Sequence, residues 1–233
     1  MEPLGADESY PSSLKHLDLT GNEIEGNCLE NSILMSAYSC PIVSLILSSN
    51  PLSDLGRRNI CLITKKNEML RELSVNKCGF DLKTLMLLTS SLHENNSLEM
   101  LHIDRPLLTT IRENDVIDHF SRVIQRSIAI RDLSFKYHDI LDQGARFLSD
   151  ALTVNQSLIA LNLECNKIGI AGAEALASYL LVRKHNSVRS LCLSYNFVGD
   201  DGSIALAEVR LYLSSFRSYD IYFIGFTTYR LSQ

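Results

Sequence analysis

Six histidines, six cysteines and a few acid pairs are the side chains of this 233-residue chain with chemistry to offer. Metal ligation needs imidazoles or thiolates held at short fixed spacings, and nucleophilic catalysis needs a thiol or hydroxyl beside a base. His16, His93, His102, His119, His138 and His185 are spread without metal-ligand spacing. Cys28, Cys40, Cys61, Cys78, Cys165 and Cys192 include no C-x-x-C pair. Asp200 and Asp201 stand together where a turn leads into a helix, and negative charge there favours the helix dipole. The sequence also lacks a phosphate-cradling glycine loop, an H-E-x-x-H and a G-x-S-x-G. The expectation is a chain with no catalytic residues, no metal site and no cofactor.

Composition narrows the partner classes. A formal charge of −5 argues against a broad phosphate-binding surface, which gathers excess Lys and Arg, so no nucleic acid is expected as a partner. No uncharged apolar run approaches the roughly 20 residues that cross a bilayer, so no membrane partner is expected either. The opening MEPLGADESYPSS carries early acids and two prolines rather than a signal peptide's apolar run, which reads as an intracellular protein with reduced thiols. In that setting the N-x-S sequons at Asn95 and Asn155 are turn residues rather than glycan acceptors.

What positions these side chains is a repeat. The pattern L-x-x-L-x-L-x-x-N-x-I is clearest at Leu158, Leu161, Leu163, Asn166 and Ile168. Copies in the same frame begin at Leu14, Ile42, Leu70, Leu98, Ile130 and Val188, spaced by 28 to 32 residues. A short strand points alternate residues one way, so the fourth and sixth positions of each copy should enter a core together. The ninth-position Asn can donate and accept at once, which suits it to backbone groups where the chain leaves the strand. Cys78 replaces it in the third copy, as a structural thiol, and Pro106 in the fourth.

A helical period follows each strand. Ala173, Leu176, Ala177 and Leu180 fall at i, i+3, i+4 and i+7; Leu85, Leu88 and Leu92, and Ala145, Leu148 and Leu152, hold the equivalent places. Gly144, Gly172 and Gly202 are expected at the turn before the helix, where small residues let helix and strand approach. The fourth copy inserts four residues within Asp104 to Asp115, on the strand-to-helix loop, before its helix frame resumes at Ile117, Phe120 and Ile124. That loop is either a binding element or a neutral surface insertion.

The architecture expected is an α/β solenoid, a horseshoe with a parallel sheet on the concave face and helices on the convex face. Residues 1–13 read as a short lead-in, 14–209 as seven repeats, and 210–233 as a divergent tail or degenerate cap. In the seventh copy Leu206 and Ala207 open the helix frame, yet Arg210 falls on an apolar position. Phe216, Tyr219 and Ile221 lie 28 residues past Val188, Leu191 and Leu193, the place for an eighth strand. The tail's aromatic crowding suits either a hydrophobic cap or the divergent end of a longer protein.

These repeats resemble the ribonuclease-inhibitor class of leucine-rich repeats, shared by ribonuclease inhibitor, Ran GTPase-activating protein and the sensor regions of NOD-like receptors. The resemblance covers about residues 14 to 209. Within it, HIDRPLL, YHDILDQGARFLSDAL and NKIGIAGAEALA are similar to the family of leucine-rich repeat-containing protein 34. It implies an intracellular protein, cytoplasmic, nuclear or nucleolar, acting by protein association in germ or stem cells. The surface expected to recognise a protein partner is the outward row of the strands, from His16, Asp18 and Thr20 through Glu72, Ser74 and Asn76 to Cys192 and Ser194. Its candidate contacts are His102, Asp104, Arg105, Lys136, Tyr137, Glu164 and Tyr195, the tyrosines and Arg105 being the residue types that dominate interfaces. Two alternatives come with the class. A GTPase activator would need a positioned arginine, for which Arg105 is the candidate. A ribonuclease inhibitor would carry abundant cysteines and interface tryptophans, and this chain has no Trp.

Overall fold

The computed structural model describes residues 14–27, 42–107, 113–182, 187–214 and 222–223. Their strands form one parallel sheet in chain order: β1 (His16–Asp18), β2 (Ser44–Ile46), β3 (Glu72–Ser74), β4 (Met100–His102), β5 (Asp132–Ser134), β6 (Ala160–Asn162), β7 (Ser190–Cys192) and β8 (Tyr222–Phe223). The central leucines, Leu17, Leu45, Leu73, Leu101, Leu133, Leu161 and Leu191, pair in one row across the sheet. Each repeat therefore starts in the frame read from the sequence. Parallel strands require crossovers, and the described ones are helices: α1 (Asp54–Lys66), α2 (Leu82–Glu94), α3 (Glu113–Arg126), α4 (Asp142–Leu152), α5 (Ile170–Val182) and α6 (Gly199–Ser214). Each helix packs on its neighbours in sequence.

The core runs between sheet and helices as one cluster. Leu45, Leu73, Leu101 and Leu133 and the sixth-position Leu47, Val75, Ile103 and Phe135 are almost wholly buried from the strand side. Leu85, Leu88 and Leu92, Ile117, Phe120 and Ile124, and Ala173, Leu176, Ala177 and Leu180 meet them from the helices. Phe120 from α3 and Phe135 beside β5 meet in this core edge to face, 4.8 Å between centroids.

Three expectations need correction. Gly144, Gly172 and Gly202 sit inside the first turn of α4, α5 and α6 rather than before it. Their smallness still matters: a Cβ on Gly172 would stand 2.7 Å from Asp142 Oδ1 and 2.8 Å from Ile168 Cγ2. In α6, Ala207 is exposed although its equivalent Ala177 is buried; Leu206 and Val209 carry the buried face. The eighth strand exists but four residues later than the 28-residue spacing placed it, with Tyr222 opposite Ser190 and Phe223 opposite Leu191. The longer α6, 16 residues against 13 in α5, delays the return to the sheet. Phe216, Tyr219, Ile221 and the side chain of Arg210 lie outside the described residues, as does part of the fourth-copy insertion, 108–112.

Candidate functional site

Two ladders of polar side chains fix the backbone on either side of the strands. At the ninth position Asn166 donates from Nδ2 to the carbonyls of Phe135 and Leu163, both at 2.9 Å, while its Oδ1 accepts from the amides of His138 and Ile140. Asn50 repeats the arrangement, and Asn196 donates to the carbonyls of Leu163 and Leu193 and accepts from the Ile168 amide. Cys78 keeps one link of it, its Sγ donating to Leu47 O at 3.0 Å; burial raises this thiol's pKa, as befits a structural group. His138 occupies the same position in the fifth copy, and its Nε2 reaches Ile103 O at 2.8 Å. The sequence signal for this role is His138's ninth place in the motif, not its spacing from other histidines. Pro106 has no donor and cannot join the ladder.

The second ladder lies before the strands. Asn67, Asn95 and Asn155 each accept from two amides of the following turn, and Nδ2 of Asn95 and Asn155 donates to carbonyls of the preceding repeat, Thr64 and Ile124 among them. The two sequon asparagines are thus engaged inside the solenoid, as their reading as turn residues required.

Just past each strand the chain makes the same unusual turn seven times. The eighth residue of every copy, Gly21, Ser49, Lys77, Arg105, Tyr137, Cys165 and Tyr195, has φ between 54° and 68°. Non-glycine residues seldom adopt this left-handed conformation, and here it is over-determined: each amide from Gly21 to Cys165 donates to the seventh-position carbonyl of the next repeat. The sequence offered one hint, Gly21. The consequence is a rim of eighth-position side chains held rigidly along one edge of the sheet.

The candidate contacts divide between this rim and the strand face. His102 Nε2 lies 3.3 Å from Asp132 Oδ1, and that hydrogen bond, aided by the charges of Asp132, Asp104 and Glu72, raises the imidazole's pKa. Asp104 Oδ1 accepts from Ser134 Oγ at 2.6 Å and from the Lys136 amide at 2.9 Å. Lys136 Nζ meets Glu164 Oε2 at 2.7 Å, which raises the lysine's pKa. On the rim the Arg105 guanidinium lies over the Tyr137 ring, 4.1 Å from its centroid, and the Tyr137 hydroxyl meets Cys165. The structure thus joins His102, Asp104, Arg105, Lys136, Tyr137 and Glu164 into one patch spanning three repeats. Tyr195 stands two repeats beyond Tyr137 on the same rim, 48% exposed.

The outward row is less open than expected. Ser44, Ser74, Ser134, Cys192 and Ser194 are all buried, and Ser74 and Ser134 hydrogen-bond to Ser48 and Asp104 of the preceding repeat. Only the longer residues and the rim stand clear. A cavity of about 190 Å³ lined by Ser127, Ile128, Arg131, Gln156 and Ser157 opens on the strand-entry side, below the several hundred Å³ usual for cofactor sites. Among the described residues no group of three or more His, Cys, Asp or Glu could hold a metal, and no helix is long and apolar enough to cross a membrane.

Comparison with known proteins agrees with this architecture. The Leucine Rich repeat family matches residues 10–30 and 154–177. Human NACHT, LRR and PYD domains-containing protein 5 is 30% identical over 192 residues, 81% of this chain and 15% of that protein. Ribonuclease inhibitor from Sus scrofa is 29% identical over 199 residues, 84% of this chain and 42% of its own length. Mouse leucine-rich repeat-containing protein 34 is 26% identical over 100 residues, 43% of this chain and 24% of that protein. The chain spans less than half the length of each of these relatives. Among solved structures, human 5T4 (Wnt-activated inhibitory factor 1, Trophoblast glycoprotein) superposes with a TM-score of 0.51 at 16% identity, covering 84% of this chain and 66% of that one, which is a likeness of fold. Seven copies of the motif on one parallel sheet, with the described crossovers all helical, give the chain a leucine-rich-repeat solenoid fold, and its similarity to ribonuclease inhibitor is consistent with the ribonuclease-inhibitor type of repeat.

Proposed function

We propose that the chain is an intracellular protein-binding scaffold or regulator without enzymatic activity. It recognises a protein partner through His102, Asp104, Arg105, Lys136, Tyr137, Glu164 and Tyr195. The observation that carries this reading is the Arg105–Tyr137 stack on a backbone pinned repeat by repeat. An arginine and a tyrosine already ordered before binding lose little conformational freedom in an interface, and these are the residue types that anchor interfaces. The relatives give the reading its class, and ribonuclease inhibitor is by name a protein that acts on another protein. The resemblance to leucine-rich repeat-containing protein 34 supports a nuclear or nucleolar location and a role in germ or stem cells.

The test is affinity capture with the native chain beside a variant carrying Arg105→Ala, Tyr137→Ala and Tyr195→Ala, followed by affinity measurement on the captured protein. At least a tenfold loss of affinity in the variant is expected; equal affinity overturns the assignment of these residues. Similarity to ribonuclease inhibitor favours one second reading, inhibition of a pancreatic-type ribonuclease, which a ribonuclease activity assay with added chain decides. A GTPase-activating role for Arg105 is tested by GTP hydrolysis of a Ran-like GTPase, for which no acceleration is expected.

A further inference from the structure

The solenoid has a second edge, where the chain enters the strands, at the opposite end of the sheet from the rim. The second residues of four successive copies, Arg71, Glu99, Arg131 and Ile159, stand there side by side, the amide of each of the last three donating to the carbonyl of the one before. Glu99 is shared: Arg71 Nε lies 3.7 Å from one of its carboxylate oxygens and Arg131 Nε 3.8 Å from the other, both beyond hydrogen-bond length. One carboxylate therefore answers two guanidinium groups, and the Arg131 side chain remains 53% exposed.

Beside Arg131 opens the cavity of about 190 Å³ lined by Ser127, Ile128, Arg131, Gln156 and Ser157. The serine hydroxyls are already committed, Ser127 Oγ accepting from the amides of Ala129 and Ile130 and Ser157 Oγ donating to Ser127 O. What faces an occupant is the Arg131 guanidinium, the exposed Gln156 amide and the aliphatic side chain of Ile128, 77% exposed. The copies on either side have Asn96 and Gln156 at the position of Ile128, so the repeat itself asks for no aliphatic residue there. A cavity of about 150 Å³ holds a benzene ring, so this one has the size of a single side chain. Its charge is one-sided: the two turns that form it, residues 125–131 and 153–159, contain Arg126 and Arg131 and no acid.

We propose that this pocket binds a glutamate side chain of an acidic partner segment. The carboxylate meets the Arg131 guanidinium, whose planar donors match it, and the methylenes lie on Ile128. An aliphatic neighbour in the segment rests on Ile159, exposed beside Arg131. This site is separate from the Arg105 and Tyr137 patch, which lies past the other end of the strands.

Amide chemical shifts of the isotope-labelled full chain, titrated with a synthetic peptide of alternating glutamate and leucine, test this beside the same peptide with glutamine for glutamate. Shifts are expected at 127–131 and 156–159, and the glutamine peptide should bind about tenfold more weakly or worse. Arg131→Gln and, separately, Ile128→Ser should each weaken the glutamate peptide while the melting temperature holds, since both side chains are exposed. A chain carrying Arg105→Ala and Tyr137→Ala should bind it as the native chain does, so this site and the rim stand or fall separately. No shift in these turns at millimolar peptide overturns the proposal. Equal response to the two peptides, binding undiminished in both pocket variants, or shifts at Arg105 and Tyr137 instead would overturn it as well.

Discussion

At the scale of single residues, His138 shows how much a repeat position demands. Burial drives its pKa down to about 4, so the ring is neutral in the folded chain, while Nε2 holds the Ile103 carbonyl. In the unfolded chain the imidazole returns to its usual value near 6.5 and takes up protons that the folded form refuses. Stability from this group is complete above about pH 6.5 and is lost as pH falls towards 4, by roughly 3 kcal/mol in all. Denaturant midpoints of the native chain from pH 7 to 4.5 should fall accordingly. His138→Asn, restoring the commoner ladder residue, should remove this part of the acid dependence. Asn166 answers to a different magnitude: it satisfies two carbonyls and two amides in the interior, so Asn166→Ala strands several buried groups and should cost about 3 kcal/mol or more by urea unfolding.

At the scale of elements, the first turn of α5 sets helix propensity against packing. Ala exceeds Gly in a helix by about 1 kcal/mol, so Gly172→Ala looks stabilising on propensity alone. In place, its methyl would meet the Asp142 carboxylate, which accepts from the amides of Gly169 and Gly172, and also Ile168 Cγ2 and Ala145 Cβ. Overpacking of this kind costs about 1–3 kcal/mol, and the tie between α4 and the start of α5 would be displaced as well. The prediction is a net lower melting temperature for Gly172→Ala, and a higher one would mean that Asp142 moves aside freely. Strand and helix positions were legible here because apolar spacing alone specifies them; the placement of Gly144, Gly172 and Gly202 inside the first helical turn was not. Which turn a glycine occupies depends on what packs against it, as Asp142 and Ala145 do against Gly172.

At the scale of the whole molecule, each repeat is stabilised only by its neighbours, so damage to a middle repeat opens faces on both sides. Leu161, 1% exposed between β5 and β7, is such a point. Leu161→Asp should lower stability by about 4 kcal/mol or more, while Asn162→Asp, half-buried with an acceptor role toward the Glu164 amide that Asp retains, should change it by less than about 1 kcal/mol. Equal melting temperatures would overturn the strand register. The sequence by itself determined that register, because a period-two strand and a 3.6-residue helix leave their apolar positions visible in every copy, and it marked Asn166 and Cys78 as ladder residues. The tertiary structure alone decided the rest. Ser74 and Cys192 are buried only once repeats stack, Ser74 with its hydroxyl on that of Ser48 in the preceding repeat. Arg105 comes to lie on Tyr137, 32 residues away, because both residues adopt a left-handed turn whose amide donates to a carbonyl of the next repeat. Such contacts are made between copies, and a pattern read within one copy does not contain them.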